Sequence, residues 1–127
     1  MQKTAIQTNQ APAPIGPYSQ AIRSGNFLFV SGQVAINPAT GELNNADVVT
    51  EATQVMRNLQ AILNEAGMDF SNVVKTTIFL SDMSLFTTVN EVYGSFFTGT
   101  VFPARETVAV KGLPRNVNVE LSVIAMQ

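Results

Sequence analysis

From Val117 to Ala125 apolar and polar residues alternate: Val117, Val119, Leu121, Val123 and Ala125 fall on one side, Asn118, Glu120 and Ser122 on the other. Side chains repeat with a period of two along a strand, so this stretch belongs in a sheet with one face against a core. The opposite face is not fully polar. Ile124 falls among its polar residues, and the earlier run Phe27-Leu28-Phe29-Val30 is apolar throughout. A sheet with apolar residues on both faces needs cover on both. The chain itself holds cover for one. Val49, Ala52, Met56, Leu59, Leu63 and Ala66 recur at spacings of three and four, the stripe of an amphipathic helix, begun by Asn45 or Asp47 and closed at Gly67. Phe86, Val89, Tyr93, Phe96 and Phe97 make a second stripe, with Ser84 as its cap.

The remaining elements lie between turn signals. Residues 3–7 read as a short strand, and Ala11 to Pro17, with three prolines and one glycine, as an extended loop. Gln20 to Arg23 forms a hairpin with Phe27 to Val30 across Ser24-Gly25-Asn26; the second strand ends at Ser31-Gly32, and Gln33 to Ile36 extends or re-enters the sheet. Asn37 to Gly41 is a turn. Val73 to Leu80 and Arg105 to about Val110 are further strands, separated by turns at Gly99 and Phe102-Pro103, and Gly112-Leu113-Pro114 leads into the last. The sum is α+β: a mixed sheet of about six strands with two helices on one face. No linker or repeat divides residues 1–127, which predicts a single domain whose second sheet face is covered by other copies.

Charge content agrees with buried surface. Asp, Glu, Lys and Arg make up 13% of the chain, against roughly 25% in an average domain. An uncharged but polar surface on a monomer is the alternative. Seven basic residues against nine acidic ones give a net charge of −2, and Lys3, Arg23, Arg57, Lys75, Arg105, Lys111 and Arg115 are scattered. A nucleic-acid binder normally clusters such residues, so none is expected as partner. No apolar run approaches the about 20 residues of a membrane span, and Met1 to Gly16 lacks the apolar stretch of a signal peptide, which predicts a cytoplasmic protein with no membrane partner. The chain has no cysteine and no histidine. Disulfides, thiolate chemistry and the commonest catalytic base and metal ligand are thereby excluded, and no metal is expected.

Few side chains remain for chemistry. Arg105 follows Phe102-Pro103-Ala104 at the start of a strand, and its planar fork suits a carboxylate or phosphate. The alternative is an internal salt bridge to Glu106 or Glu120. Glu120 sits between Val119 and Leu121, where a sheet covered on both faces would partly desolvate it and raise its pKa towards the range of proton transfer; on a one-sided sheet it would be solvated. Tyr18, Ser31 and Asn90 supply pocket polarity, or else a loop anchor, a strand end and a helix surface. No phosphate loop, dinucleotide fingerprint, metal cluster or catalytic triad is present.

In order and spacing the chain resembles the reactive intermediate deaminase family, RidA, also called YjgF. The matching segments are Ile15 to Ala21, Val30-Ser31-Gly32-Gln33, Asn37 to Gly41, Val74 to Thr77, Phe86 to Tyr93, Phe96-Phe97, Phe102-Pro103-Ala104-Arg105, Leu113-Pro114 and Val119-Glu120-Leu121. The resemblance implies a chorismate-mutase-like homotrimer, its sheets forming a central barrel and its sites lying between subunits. It also implies cofactor-free hydrolysis of 2-imino or enamine acids, such as 2-aminoacrylate and 2-iminobutyrate, to 2-oxo acids and ammonia. Pyridoxal-phosphate-dependent dehydratases release such intermediates. Arg105 then anchors the substrate carboxylate through two hydrogen bonds. Glu120, with the backbone carbonyl of Thr107, orients and deprotonates the water, and Tyr18, Ser31, Gly32 and Asn90 line the pocket. Bacterial members often carry Ser-Cys after the arginine, where this chain has Glu106-Thr107. Turned inward, Glu106 would compete for Arg105; neighbours in a strand project to opposite faces, so it is expected to point away. Two other functions compete. A 2-oxo acid sensor would need Arg105 but not Glu120, and an endoribonuclease or translation inhibitor would fit poorly with the missing histidine and scattered charge.

Overall fold

A computed structural model describes residues 2–127, and its six strands form one mixed sheet. In chain order they are β1 (Lys3–Ile6), β2 (Ala21–Ser24), β3 (Phe27–Gln33), β4 (Val73–Leu80), β5 (Ala104–Ala109) and β6 (Val119–Met126). Across the sheet the order is β1-β2-β3-β6-β4-β5. Neighbours are antiparallel except β4 and β5, which run parallel and leave β5 as a free edge. The connection that makes them parallel is a helix, α2 (Phe86–Gly94), which packs beside α1 (Val48–Glu65) over one face.

The core lies between that face and α1. Leu28 and Val30 of β3, Ile78 and Leu80 of β4, and Val119, Leu121, Val123 and Ala125 of β6 are buried against Val55, Met56, Leu59, Ile62 and Leu63. Helix α1 opens on Val48-Val49-Thr50, residues each roughly half a kcal/mol poorer than alanine in a helix. Burying one leucine contributes about 1.5–3 kcal/mol, so the buried stripe outweighs the poor start. Asp47 adds to it by accepting a hydrogen bond from the Thr50 N–H at 2.7 Å, which holds its carboxyl below the usual carboxylate range. Gly67, at φ 74°, takes the left-handed conformation that closes the helix.

Two buried polar side chains of α1 fix the strands that matter below. The Glu51 carboxyl accepts the Asn118 and Val119 N–H groups at 2.7 and 3.0 Å, tying down the start of β6. Two helical turns on, the Asn58 amide donates to the Val34 and Ile36 carbonyls, both at 3.0 Å.

The strand and stripe pattern holds with local corrections. Val49 is half exposed and lies outside the buried face, which takes in Val55 and Ile62 instead: the helical turn carries Val49 to the edge of the face that those residues share with Ala52, Leu59 and Leu63. Asp82, not Ser84, caps the second helical segment: it accepts the Ser84 N–H at 2.8 Å and starts a single 3₁₀ turn ahead of α2. Phe96 and Phe97 follow α2 and pack around Phe70, the first edge-on and the second tilted. β3 runs through Ser31 and Gly32 with a bulge, and beyond Gln33 only an isolated bridge from Ile36 to Leu43 remains. The sheet face away from the helices carries Phe27 and Phe29, 42% and 46% exposed, with rings 6.2 Å apart. No helix among the described residues is long and apolar enough to cross a membrane.

Candidate functional site

Strand register decides which candidate residues can meet. Arg105 pairs with Thr76 and Glu120 with Phe79, both on β4. An odd spacing along a strand puts side chains on opposite faces. Arg105 therefore stands on the helix-covered face beside buried Thr76, and Glu120 on the open one. Within one chain the two do not share a site.

Arg105 lies in a groove of about 470 Å³ lined by Asn90, Tyr93, Gly94, Phe102 and Pro103. Phe86, Asn90 and Tyr93 sit four and three apart on α2 and so share its face towards β5. Arg105 Nη1 donates to Asn90 Oδ1 at 2.7 Å, and its guanidinium carbon lies 5.8 and 5.1 Å from the Phe86 and Tyr93 ring centres. Tyr93 is held in turn by donating its hydroxyl to Thr76 Oγ1 at 2.9 Å; burial, partly offset by that bond and by Arg105, pushes its pKa up. These partners are neutral. The ion pair found among the described residues joins Lys75 to Glu106 at 3.1 Å, so neither internal salt bridge weighed for Arg105 forms. Glu106 projects to the other face, as expected. There it accepts a hydrogen bond from Thr77 Oγ1 at 2.8 Å, which together with Lys75 holds its carboxyl below the usual range.

Thr107 lies two residues along β5 from Arg105. The Val110 N–H donates to the Leu80 carbonyl on β4 at 2.9 Å. Peptide groups alternate sides along a strand, which turns the Thr107 carbonyl to the free edge. Its side-chain hydroxyl is buried without a hydrogen-bond partner.

Glu120 lines a second groove, of about 420 Å³, with Tyr18, Ser31, Gly32, Pro114 and Arg115. Burial raises the pKa of its carboxyl above the ordinary value, the direction expected of a half-covered strand position. The wall is tied together from behind. Ser31 Oγ donates to the Ser19 carbonyl at 2.6 Å, while buried Gln20 accepts the Thr8 N–H at 2.7 Å and donates to the Pro12 carbonyl at 2.9 Å. The proline loop is thus fastened to the strand that Gly32 occupies. Gly32 makes room for the carboxylate: a Cβ there would overlap the Glu120 carboxylate and lie 2.9 Å from Cδ and 3.2 Å from Cγ. Gly32→Ala is expected to swing the Glu120 carboxylate aside with little change in Tm, checked by a crystal structure of the variant beside a melting curve; a carboxylate left in its present position would contradict this placement.

Sequence reasoning named Gly32 for pocket lining but not for this clearance, and it did not find Arg115. That residue and Asn116 both have φ of 56°, a left-handed conformation costing non-glycine residues about 1–2 kcal/mol. Pro114 ahead of an asparagine was the signal of a tight turn. Tyr18 stands at the groove mouth, half exposed.

The fold and grooves define a small α+β domain with an arginine free of any carboxylate on one sheet face and a partly desolvated carboxylate on the other. The family model described as endoribonuclease L-PSP matches residues 8–127, and the chain belongs to that family, whose members carry the names Rid and RutC. It is 52% identical to Protein DfrA of Myxococcus xanthus over 99% of this chain and 97% of that one. It is 49% identical to the 2-iminobutanoate/2-iminopropanoate deaminase of Mus musculus, covering 98% and 92%. The crystal structure of a Rid-family protein from Yersinia pestis, described as of unknown function, superposes with a TM-score of 0.96 at 45% identity over 99% and 100% of the two chains.

Proposed function

We propose that this protein hydrolyses 2-imino acids to 2-oxo acids and ammonia, in sites where the Arg105 face of one copy meets the Glu120 face of the next. The observation that carries the reading is the separation itself: an anchor and a base, each in its own groove and each without a charged partner, on opposite faces of one sheet. A second copy completes the site, and a closed ring of three such contacts is a homotrimer. Exposed Phe27, Phe29 and Val108, on the same sheet face as Glu120, give that open face an apolar reason to associate.

The chemistry suits these groups. Arg105 grips the substrate carboxylate through its fork, leaving Asn90 to hold its rear. The protonated imine carbon is already electrophilic, so no cofactor has to activate it. Glu120, in its ionised form, takes a proton from water as the oxygen attacks that carbon, with the Thr107 carbonyl on the free edge fixing the second water hydrogen. The proton passes from Glu120 to the amine of the tetrahedral intermediate; as the C–N bond breaks, the ionised Glu120 takes the remaining hydroxyl proton, and ammonia and the 2-oxo acid leave. The mouse relative's name describes this reaction. The family model's name points instead to RNA cleavage. Against that stand the scattered charges: Lys75 is paired with Glu106, and Arg23 is committed to the Ala66 carbonyl at the end of α1.

Added to a threonine dehydratase assay, the purified protein is expected to accelerate release of 2-oxobutyrate. Equal rates with and without it would remove the proposal.

A further inference from the structure

The Glu120 groove holds a second charged side chain that the reaction above leaves idle. Arg115 lines it beside Tyr18, Gly32 and Glu120. The turn that presents Arg115 is closed by hydrogen bonds from the Asn116 N–H to the Leu113 carbonyl at 3.0 Å and from the Val117 N–H to the Pro114 carbonyl at 3.3 Å. Two consecutive residues at φ 56° form its corner. Glycine, asparagine and aspartate take such positions readily; Asn116 obeys that preference and Arg115 does not. A long cation therefore occupies a corner where glycine would cost less, and the rigid corner sets the direction in which its side chain leaves the backbone. No carboxylate lies within 4.0 Å of its guanidinium among the described residues, Glu120 included. Pro12, Ala13 and Ile15 make part of the groove's wall apolar.

We infer that Arg115 is a specificity-determining residue that receives a second carboxylate, so that the site prefers 2-imino and 2-oxo dicarboxylic acids over their short-chain monocarboxylic counterparts. The inference rests on the deaminase reading for what the groove holds. With the 2-carboxylate on Arg105 of one copy and the reacting carbon beside Glu120 of the next, a side chain extended along the apolar wall ends at Arg115. Guanidinium and carboxylate then form a charge-assisted contact.

Calorimetric titration of the whole protein with 2-oxoglutarate and with 2-oxobutyrate tests this directly, since both are product-like and binding needs no turnover. The wild type is expected to bind 2-oxoglutarate about tenfold more tightly, the scale of one such contact. Arg115→Gln is expected to erase the preference and Arg115→Lys to keep part of it. Equal affinities in the wild type, or a preference that survives Arg115→Gln, would overturn the inference. A preference lost in Arg115→Gln from a protein that turns over no imine would support it and sink the deaminase reading alone.

Discussion

Arg105→Ala is expected to lower kcat/KM for 2-imino acids by about 10²–10⁴, because two charge-assisted hydrogen bonds of about 1.5–3 kcal/mol each vanish together. The loss falls on binding and positioning at once, since the carboxylate is what places the imine carbon against its base. Folding is expected to survive. Arg105 is held by one neutral side-chain contact and two aromatic faces, and Asn90, its partner, is only partly buried and finds water when the guanidinium is gone. Arg105→Lys keeps the charge but not the fork, and should fall between the two. Kinetics with an imine generated in the cuvette check this, with a melting curve as control; wild-type kcat/KM in Arg105→Ala would mean that substrate is anchored elsewhere.

Glu120→Gln is expected to behave differently. Its kcat should drop by about 10²–10⁴, the usual worth of a positioned general base, while 2-oxo acid binding stays near the wild-type value. A 2-oxo acid sensor would show no effect of this change in any assay, so the variant separates an enzyme from a binding module. The pH profile carries the same signature. Burial raises the Glu120 pKa, so the acid limb of wild-type kcat should lie above the ordinary carboxylate value of 4.5, and it should vanish in the variant. Stability runs the opposite way. Between the ordinary value and the raised one the native state binds more protons than the unfolded state, so stability falls as pH rises through that window. Glu120→Gln should therefore melt higher than wild type at pH 7, and the gap should close below the ordinary carboxylate value.

Much of the fold was legible because it rests on periodicity. The alternation from Val117 to Ala125 falls on β6, which begins two residues later because Val117 still closes the turn before it, and Val73 to Leu80 is β4 without correction, since runs bounded by turns leave little choice of frame. The ends of helices were less so. Asp82 and Ser84 are both good caps, and only the backbone path shows which one accepts the N–H. The site was legible as residues and illegible as geometry. Nothing in the chain near Arg105 says that β5 pairs with β4 in parallel, yet that pairing sends Arg105 and Glu120 to opposite faces. Gly32 and Glu120 lie far apart in sequence and meet across a bulge, and the left-handed turn that aims Arg115 is adopted against that residue's own preference.

The central claim is that neither sheet face works without the other, and that the two come from different copies. Arg105→Ala and Glu120→Gln, each inactive alone, can be mixed in equal amounts and unfolded and refolded together. Random assembly leaves about a quarter of the intersubunit sites with both groups intact, and that fraction of wild-type activity is the expected recovery. A mixture as inactive as its two components would place Arg105 and Glu120 in the same chain's site, or in no common site, and would contradict the account.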